Sequence, residues 1–326
     1  MSTTTLRQAQ GPEGQAQGPE GQAQEPEGQA QGAVGGSTAP HARLSINQAT
    51  IKYATLPEAV SAVAAAGVTS FGAWREPVQE FGVAASARLL ADAGLRVSSL
   101  CRGGFFTMPE GPDRRASIDD NRTAVDEAAA LGAPALVLVV GGLPEGSRDI
   151  LGARELVRDA IGELADHALE SGVQLAIEPL HPMYASDRAV ISTLGQALDI
   201  AEQFAPEAVG VVVDTFHLWW DPQVLEQIAR AGATGRISSY QACDWATPLP
   251  ADVLLARHYP GDGVVDFASL TRAVEAAGYT GDVEVELFNQ EIWDAPFDAV
   301  VRRTVETFQS AVVPHLDPTD AADLHP

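Results

Sequence analysis

Two rhythms of hydrophobic and polar positions alternate along most of the chain. Short β-branched or apolar runs occur at Leu44 to Gln48, Val68 to Ala73, Arg96 to Leu100, Ala135 to Val140, Gln174 to Glu178, Val211 to Asp214, Ile237 to Gln241 and Val283 to Leu287. Between them lie longer stretches whose apolar residues recur at three- and four-residue spacing, such as Leu56 to Ala66, Ala84 to Ala93, Asp119 to Leu131, Ala153 to Ser171, Thr193 to Phe204 and Phe267 to Ala277. The first pattern predicts buried strands and the second predicts amphipathic helices. Gly67, Gly94, Gly132, Gly172 and Gly278 follow helical stretches, where a left-handed C-cap favours glycine.

Eight strand–helix pairs of similar length predict an α/β fold in which a parallel sheet closes into an eight-fold β/α (TIM) barrel. The competing doubly wound sheet would alternate in the same way, but no GxGxxG follows the first strand. Such a barrel takes roughly 250 residues, and residues 41–314 are assigned to it as the catalytic domain. Residues 1–40 repeat a Gln-Ala-Gln-Gly-Pro-Glu-Gly unit with almost nothing large enough to bury, which predicts a disordered tail. Residues 315–326 are assigned to a C-terminal tail.

Charge narrows the partners. Forty-four acidic against 20 basic residues give a formal net charge of -24, so a phosphate backbone would be repelled and nucleic acid is excluded as a partner. Cys101 and Cys243 are far apart and show no zinc-type spacing. No apolar run approaches the roughly 20 residues needed to cross a bilayer, and the N-terminus lacks a signal-peptide pattern. A cytoplasmic protein without a membrane partner is expected.

Four of the strands end in a metal-capable residue: Glu178, Asp214, Gln241 and Glu286. Side chains alternate along a strand, and in a barrel the inward face at the C-terminal end opens on the active site. One acid at a strand end is ordinarily a helix cap or a loop-solvating group, but four on successive strands point to one site. Converging buried carboxylates repel one another unless a cation sits among them. Three carboxylates and an amide oxygen suit Mn²⁺ first and Mg²⁺ second. Glu284 shares a face with Glu286 and lies deeper, where a cationic partner is expected.

His181, between prolines in Pro179-Leu-His-Pro, reads either as a surface loop histidine or as a general base beside the metal. His217 follows Asp214 by three residues and reads either as a substrate-binding group or as a histidine bonded to backbone beneath Trp219 and Trp220. Asp244 follows Gln241 closely and is a second substrate-site candidate, or a residue that orients a neighbour. Arg188 and Arg257 are partners either for substrate oxygens or for buried carboxylates. GxSxG, Walker and HExxH motifs are absent, so serine nucleophilic catalysis and nucleotide hydrolysis have no signature.

The segments Ala176-Ile-Glu178-Pro-Leu-His-Pro, Val213-Asp214-Thr-Phe-His217, Tyr240-Gln241-Ala-Cys-Asp244-Trp, Gly261-Asp-Gly263 and Val285-Glu286-Leu-Phe-Asn together resemble the xylose-isomerase-like sugar isomerase and epimerase family over residues 43–313. The resemblance implies a metal-dependent barrel enzyme acting on a small sugar, with Glu178, Asp214, Gln241 and Glu286 as ligands. The family usually has histidine where this chain has Gln241, although hydroxypyruvate-isomerase-like members also use glutamine there. Glutamine together with the Glu-Pro-Leu-His-Pro loop is similar to the catalytic α subunits of bacterial C-glycoside deglycosidases. That likeness implies carbon–carbon lyase activity on 3-oxo-glucosyl C-glycosides, with His181 removing the C2 proton and a small β subunit completing a hetero-oligomer. The alternative is a ketose isomerase or epimerase in which Glu178 and Glu286 pass a proton through an enediolate.

Overall fold

In the computed structural model, which describes residues 41–317, eight parallel strands close into a barrel. They are β1 (Leu44–Asn47), β2 (Ser70–Trp74), β3 (Arg96–Gly104), β4 (Ala135–Val139), β5 (Gln174–Ile177), β6 (Val209–Asp214), β7 (Ile237–Gln241) and, last, β10 (Val283–Val285). The order around the barrel is β1-β10-β7-β6-β5-β4-β3-β2. Two short strands, β8 (Asp244–Trp245) and β9 (Arg257–His258), pair antiparallel above β7. The expected tail over residues 1–40 lies outside the described residues, as do residues 318–326 of the expected C-terminal tail. At its other end, Asp317 N donates to Glu275 Oε2 at 3.0 Å, so packing continues past residue 314. Among the described residues, no helix is long and apolar enough to cross a membrane.

Each of the eight apolar runs became a barrel strand, with ends shifted by a few residues. The largest difference is at β3, which continues through Cys101-Arg-Gly-Gly104 after a register shift and pairs Gly103 with Leu138 and Gly104 with Val139. No β-branched residue marks that extension in the sequence. Only glycine fits at 104, where φ is +116° and an added Cβ would lie 2.0 Å from Val139 O. The Asn121 amide closes the backbone there, accepting from Gly104 N at 2.7 Å and donating to Gly104 O at 3.0 Å.

The helix over Pro112–Leu131 starts seven residues before the expected Asp119, because its first turns are polar and carry little periodicity. Helices Val224–Ala233 and Phe297–Ala311 cover the remaining strands. Asp149, Thr193 and Asp266 cap helix N-termini by accepting from backbone N–H groups. The five glycines expected at helix ends have φ of 77°, 70°, 70°, 69° and 82° in chain order.

Strand alternation divides the core in two. Outward residues such as Leu44, Ile46, Leu136, Leu138, Leu175 and Ile177 pack in the layer under the helices. Inside the barrel, Cys101, Ala135, Val137, Ala176 and Val212 form a small apolar cluster against Trp74. The opposite part of the interior is polar and centres on Glu284. Its carboxylate accepts from Asn47 Nδ2 at 2.6 Å, Ser98 Oγ at 2.6 Å and Ser99 Oγ at 2.8 Å. The cation expected beside Glu284 is therefore replaced by an amide and two hydroxyls. Burial pushes this carboxyl above its ordinary range, and those three donors work against the shift.

Room for the Glu284 carboxylate comes from Gly72, where an added Cβ would lie 2.6 Å from Glu284 Cδ and 2.9 Å from Asn47 Nδ2. Gly72→Ala is expected to destabilise the protein by about 1–3 kcal/mol through overpacking. Urea denaturation should show a lower midpoint at unchanged slope, and an unchanged midpoint would mean that the cluster yields without cost.

Candidate metal centre

The barrel turns the four strand-end residues inward at its C-terminal end. Asp214 and Gln241 close β6 and β7, while Glu178 and Glu286 lie one residue past β5 and β10. All four are at most 5% exposed. They alternate correctly with the apolar residues before them, so the period-two pattern that builds the sheet also aims these side chains inward. One carboxylate oxygen each from Glu178 and Asp214 and one ring nitrogen of His217 lie within 4.8 Å of one another.

The charge among these carboxylates is balanced in part by Arg257, on β9. Its Nη1 donates to Glu286 Oε2 at 2.8 Å and to Asp214 Oδ2 at 3.2 Å. The guanidinium is sandwiched at 4.9 Å from the Phe216 ring centroid and 5.3 Å from that of Phe288. If all three carboxylates are ionised, one guanidinium leaves two negative charges, and burial and mutual repulsion raise the carboxyls against that state. Glu178 is pushed well up, first by burial and then by Asp214 and Glu286. Burial pushes Glu286 up to about 7, with Arg257 opposing. Asp214 is also raised by burial, against Arg257 and backbone N–H groups.

This donor set fits a divalent cation. The residual charge has the matching magnitude, and both amide atoms of Gln241 are buried without a hydrogen-bond partner. An unpaired buried amide costs about 1–3 kcal/mol, which a metal bond to its oxygen would offset for that atom.

His217 is buried at the edge of this group, with Nε2 3.9 Å from Asp214 Oδ2. His181 N donates to His217 Nδ1 at 3.1 Å, and Arg257 Nη2 stands 3.0 Å from Nε2. A neutral imidazole has one lone pair and satisfies only one of these donors. The two contacts are therefore alternatives, one for each neutral tautomer. Burial, with Arg257, holds the ring well below its ordinary pKa and hence neutral.

The His181 ring itself packs 5.0 Å from Trp245 and 5.5 Å from Trp220, and its Nδ1 accepts from Met183 N at 3.3 Å. It does not border the cavity above the carboxylates. Asp244 is also turned away from that space. Its oxygens accept from the backbone N–H groups of Trp245, Gly261, Gly263 and Val265 at 2.8–2.9 Å. The expected substrate contact by Asp244 is thus corrected to an organising one: with all four donors satisfied, it ties β8 to the loop that follows Arg257.

The cavity encloses about 230 Å³. Glu178, Glu286, His217 and Arg257 border its inner end, and Trp74, Phe288 and Leu254 contribute to its walls. Lys52, Arg102, Tyr184 and Arg188 complete the polar lining. Sequence reading passed over Lys52, Trp74, Arg102, Tyr184 and Phe288. The one signal for them was position, since several stand at or just beyond the C-terminal end of a barrel strand.

Residues 60–310 match the model of a family described as a xylose isomerase-like TIM barrel. A 3-dehydroshikimate dehydratase of Pseudomonas putida is 30% identical over 253 residues, or 74% of this chain, but the match spans only 37% of the dehydratase. An inosose isomerase of Halalkalibacterium halodurans is 24% identical over 217 residues, 65% of this chain and 73% of that protein. A crystal structure of a Sinorhizobium meliloti protein is 47% identical with a TM-score of 0.81, covering 83% of this chain and 98% of the other. The IolI protein, solved with a binding zinc atom, shares the fold with a TM-score of 0.74 at 21% identity, covering 85% of this chain and 100% of the other.

Three outcomes test the electrostatic balance and the ligand set. Arg257→Met is expected to destabilise the metal-free protein by about 3–5 kcal/mol, because it leaves buried carboxylates without their cation; equal stability in urea would remove Arg257 from that role. Elemental analysis after dialysis against Mn²⁺ should find about one ion per chain, by the charge arithmetic of a closed site. Glu286→Gln should lower that occupancy, and full occupancy would count against Glu286 as a ligand.

Proposed function

The chain belongs to the xylose isomerase-like TIM barrel family, and on that premise we propose that it is a metal-dependent enzyme of the lyase or isomerase type, removing the hydrogen next to the carbonyl of a cyclic polyhydroxy ketone. The observation that carries this reading is the convergence of Glu178, Asp214, Gln241 and Glu286 beneath one cavity, with Gln241 unpartnered. These four residues would hold the ion, which supplies Lewis acidity toward substrate oxygens and so acidifies the adjacent C–H. An all-oxygen set favours Mn²⁺, then Mg²⁺. The zinc of the IolI protein makes Zn²⁺ a third metal to compare.

The geometry favours carboxylates over His181 as proton carriers. Glu178 and Glu286 already border the cavity, whereas the His181 ring is engaged with Trp220, Trp245 and Met183 N. His181 instead meets His217 Nδ1 through its backbone N–H, which ties the loop after β5 to a ring that borders the cavity.

The finer reading is cleavage of 3-oxo-glucosyl C-glycosides. Loss of the C2 hydrogen as a proton and departure of the aglycone from C1 leave a C1–C2 double bond conjugated with the C3 carbonyl. The aglycone carbon takes up a proton as it leaves. Gln241 and the Glu-Pro-Leu-His-Pro loop support this reading, as do the Trp74 and Phe288 walls, which suit a flat aglycone. A small β subunit would complete the enzyme. The second reading, an isomerase or epimerase, is favoured by the same pair of carboxylates and by the inosose isomerase similarity.

Mn²⁺-loaded protein incubated with a 3-oxo C-glucoside and with a simple ketose, with and without a candidate small β subunit, separates the readings. Released aglycone supports the lyase and an isomerised ketose the second reading; neither product with any metal would overturn both. Glu178→Gln is expected to reduce turnover at least about a hundredfold, the scale of a lost general base. His181→Ala should reduce it less, and a larger loss from His181→Ala would return the base to that ring.

A further inference from the structure

We propose that the outer part of the cavity is a subsite for an anionic oxygen group on the substrate, carboxylate or phosphate, formed by Lys52, Arg102 and Arg188. This rests on the preceding reading of the cavity as an active site and adds the charge class of what enters it.

The first observation is an inversion of charge. The chain carries 44 acidic and 20 basic residues, yet the cavity lining carries four cations, Lys52, Arg102, Arg188 and Arg257, against two carboxylates, Glu178 and Glu286. Arg257 is taken up by the carboxylates of the metal centre. Lys52 follows the 3-10 turn Gln48–Ile51 after β1, Arg102 lies near the C-terminal end of β3 and Arg188 in the loop after β5, and all three are more exposed than the ligand residues. A chain of net charge -24 repels an anion over its surface as a whole, so an anionic substrate needs a local field of this sign to enter.

The second observation is residue choice. Lys52 is the single lysine of the whole chain; the other 19 basic residues are arginine. A compact ammonium with three rotatable donors is thus retained at one position, and that position lines the cavity.

The third observation is that an aromatic ring lies against each of the three cations. Lys52 Nζ lies 4.3 Å from the Trp293 ring centroid, and that indole is itself clamped by donating Nε1 to Ala49 O at 2.7 Å and Leu287 O at 3.0 Å. The Arg102 guanidinium lies 4.8 Å from the Phe105 ring and 5.8 Å from Trp74. Phe105 is 40% exposed and has φ of +59°, an uncommon conformation for a bulky residue, and it places an apolar ring under a cation. Arg188 lies 5.8 Å from the Tyr184 ring, and the Asp187 carboxylate, 3.8 Å away, is largely exposed. Cation–π contact fixes a charge without consuming its N–H donors, whereas an ion pair would neutralise it. Such cations are ready to bind an anion at one end of a substrate whose other end meets the metal centre.

Calorimetric titration of the Mn²⁺-loaded full chain with two matched pairs of ketone-free rings tests this. One pair is shikimate and its methyl ester; the other is myo-inositol 1-phosphate and myo-inositol. The charged member of at least one pair should bind about tenfold tighter or better than its neutral partner, and the responding pair identifies the anion class. The difference should shrink in 0.5 M NaCl, as screening requires at roughly a 4 Å Debye length. Lys52→Met should reduce it to below about threefold, and Lys52→Arg, which keeps the charge but not the compact ammonium, should leave an intermediate value, a grading that loss of packing alone would not give. Charged members that bind no tighter than their neutral partners, absence of any binding, or full discrimination in Lys52→Met would each overturn the proposal. Turnover of uncharged ketones is a separate readout, so the enzyme reading stands or falls independently.

Discussion

Three carboxylates buried beneath one cavity, with a single guanidinium among them, set the terms for the rest of this molecule. Like charges in a low-dielectric interior repel strongly, and the barrel tolerates them only because Arg257 reaches Asp214 and Glu286. Arg257 in turn depends on the β8–β9 ribbon, which Asp244 ties down through four backbone donors. The residual charge and the unpartnered Gln241 amide make the centre receptive to a divalent ion.

Glu284 shows the other way to carry a buried acid. It lies two residues before Glu286 on the same inward face, but an amide and two hydroxyls surround it and Gly72 leaves it space. Three neutral donors reach its two oxygens, and it does not line the cavity. At the rim, charge balance is left incomplete and the carboxylates face the cavity. One strand thus contributes a structural acid below and a chemically available acid above, with the difference set by neighbours rather than by residue type.

The cavity is also divided across its depth. Its inner end holds carboxylates, His217 and Arg257; its outer part holds cations stacked on aromatic rings. His181 links the loop after β5 to this arrangement through its backbone N–H on His217, while its own ring joins Trp220 and Trp245. A substrate bound across such a gradient is oriented by electrostatics before any particular hydrogen bond forms.

Taken alone, the sequence determined the eight strands, most of the helices between them and the four residues that end β5, β6, β7 and β10 or follow them directly. These were legible because strand and helix periods are local, and because alternation dictates which side chains face inward. What only tertiary structure decided lies in loops and at long separation. Arg257 meets Asp214 across 43 residues, and Asn47 meets Glu284 across 237. The direction of the His181 ring depends on Trp220 and Trp245, which belong to other segments. The lone lysine could be counted in the sequence, but only barrel closure set Lys52 beside Arg102 and Arg188 on one cavity, because residues that follow different strands meet only when the sheet is joined edge to edge.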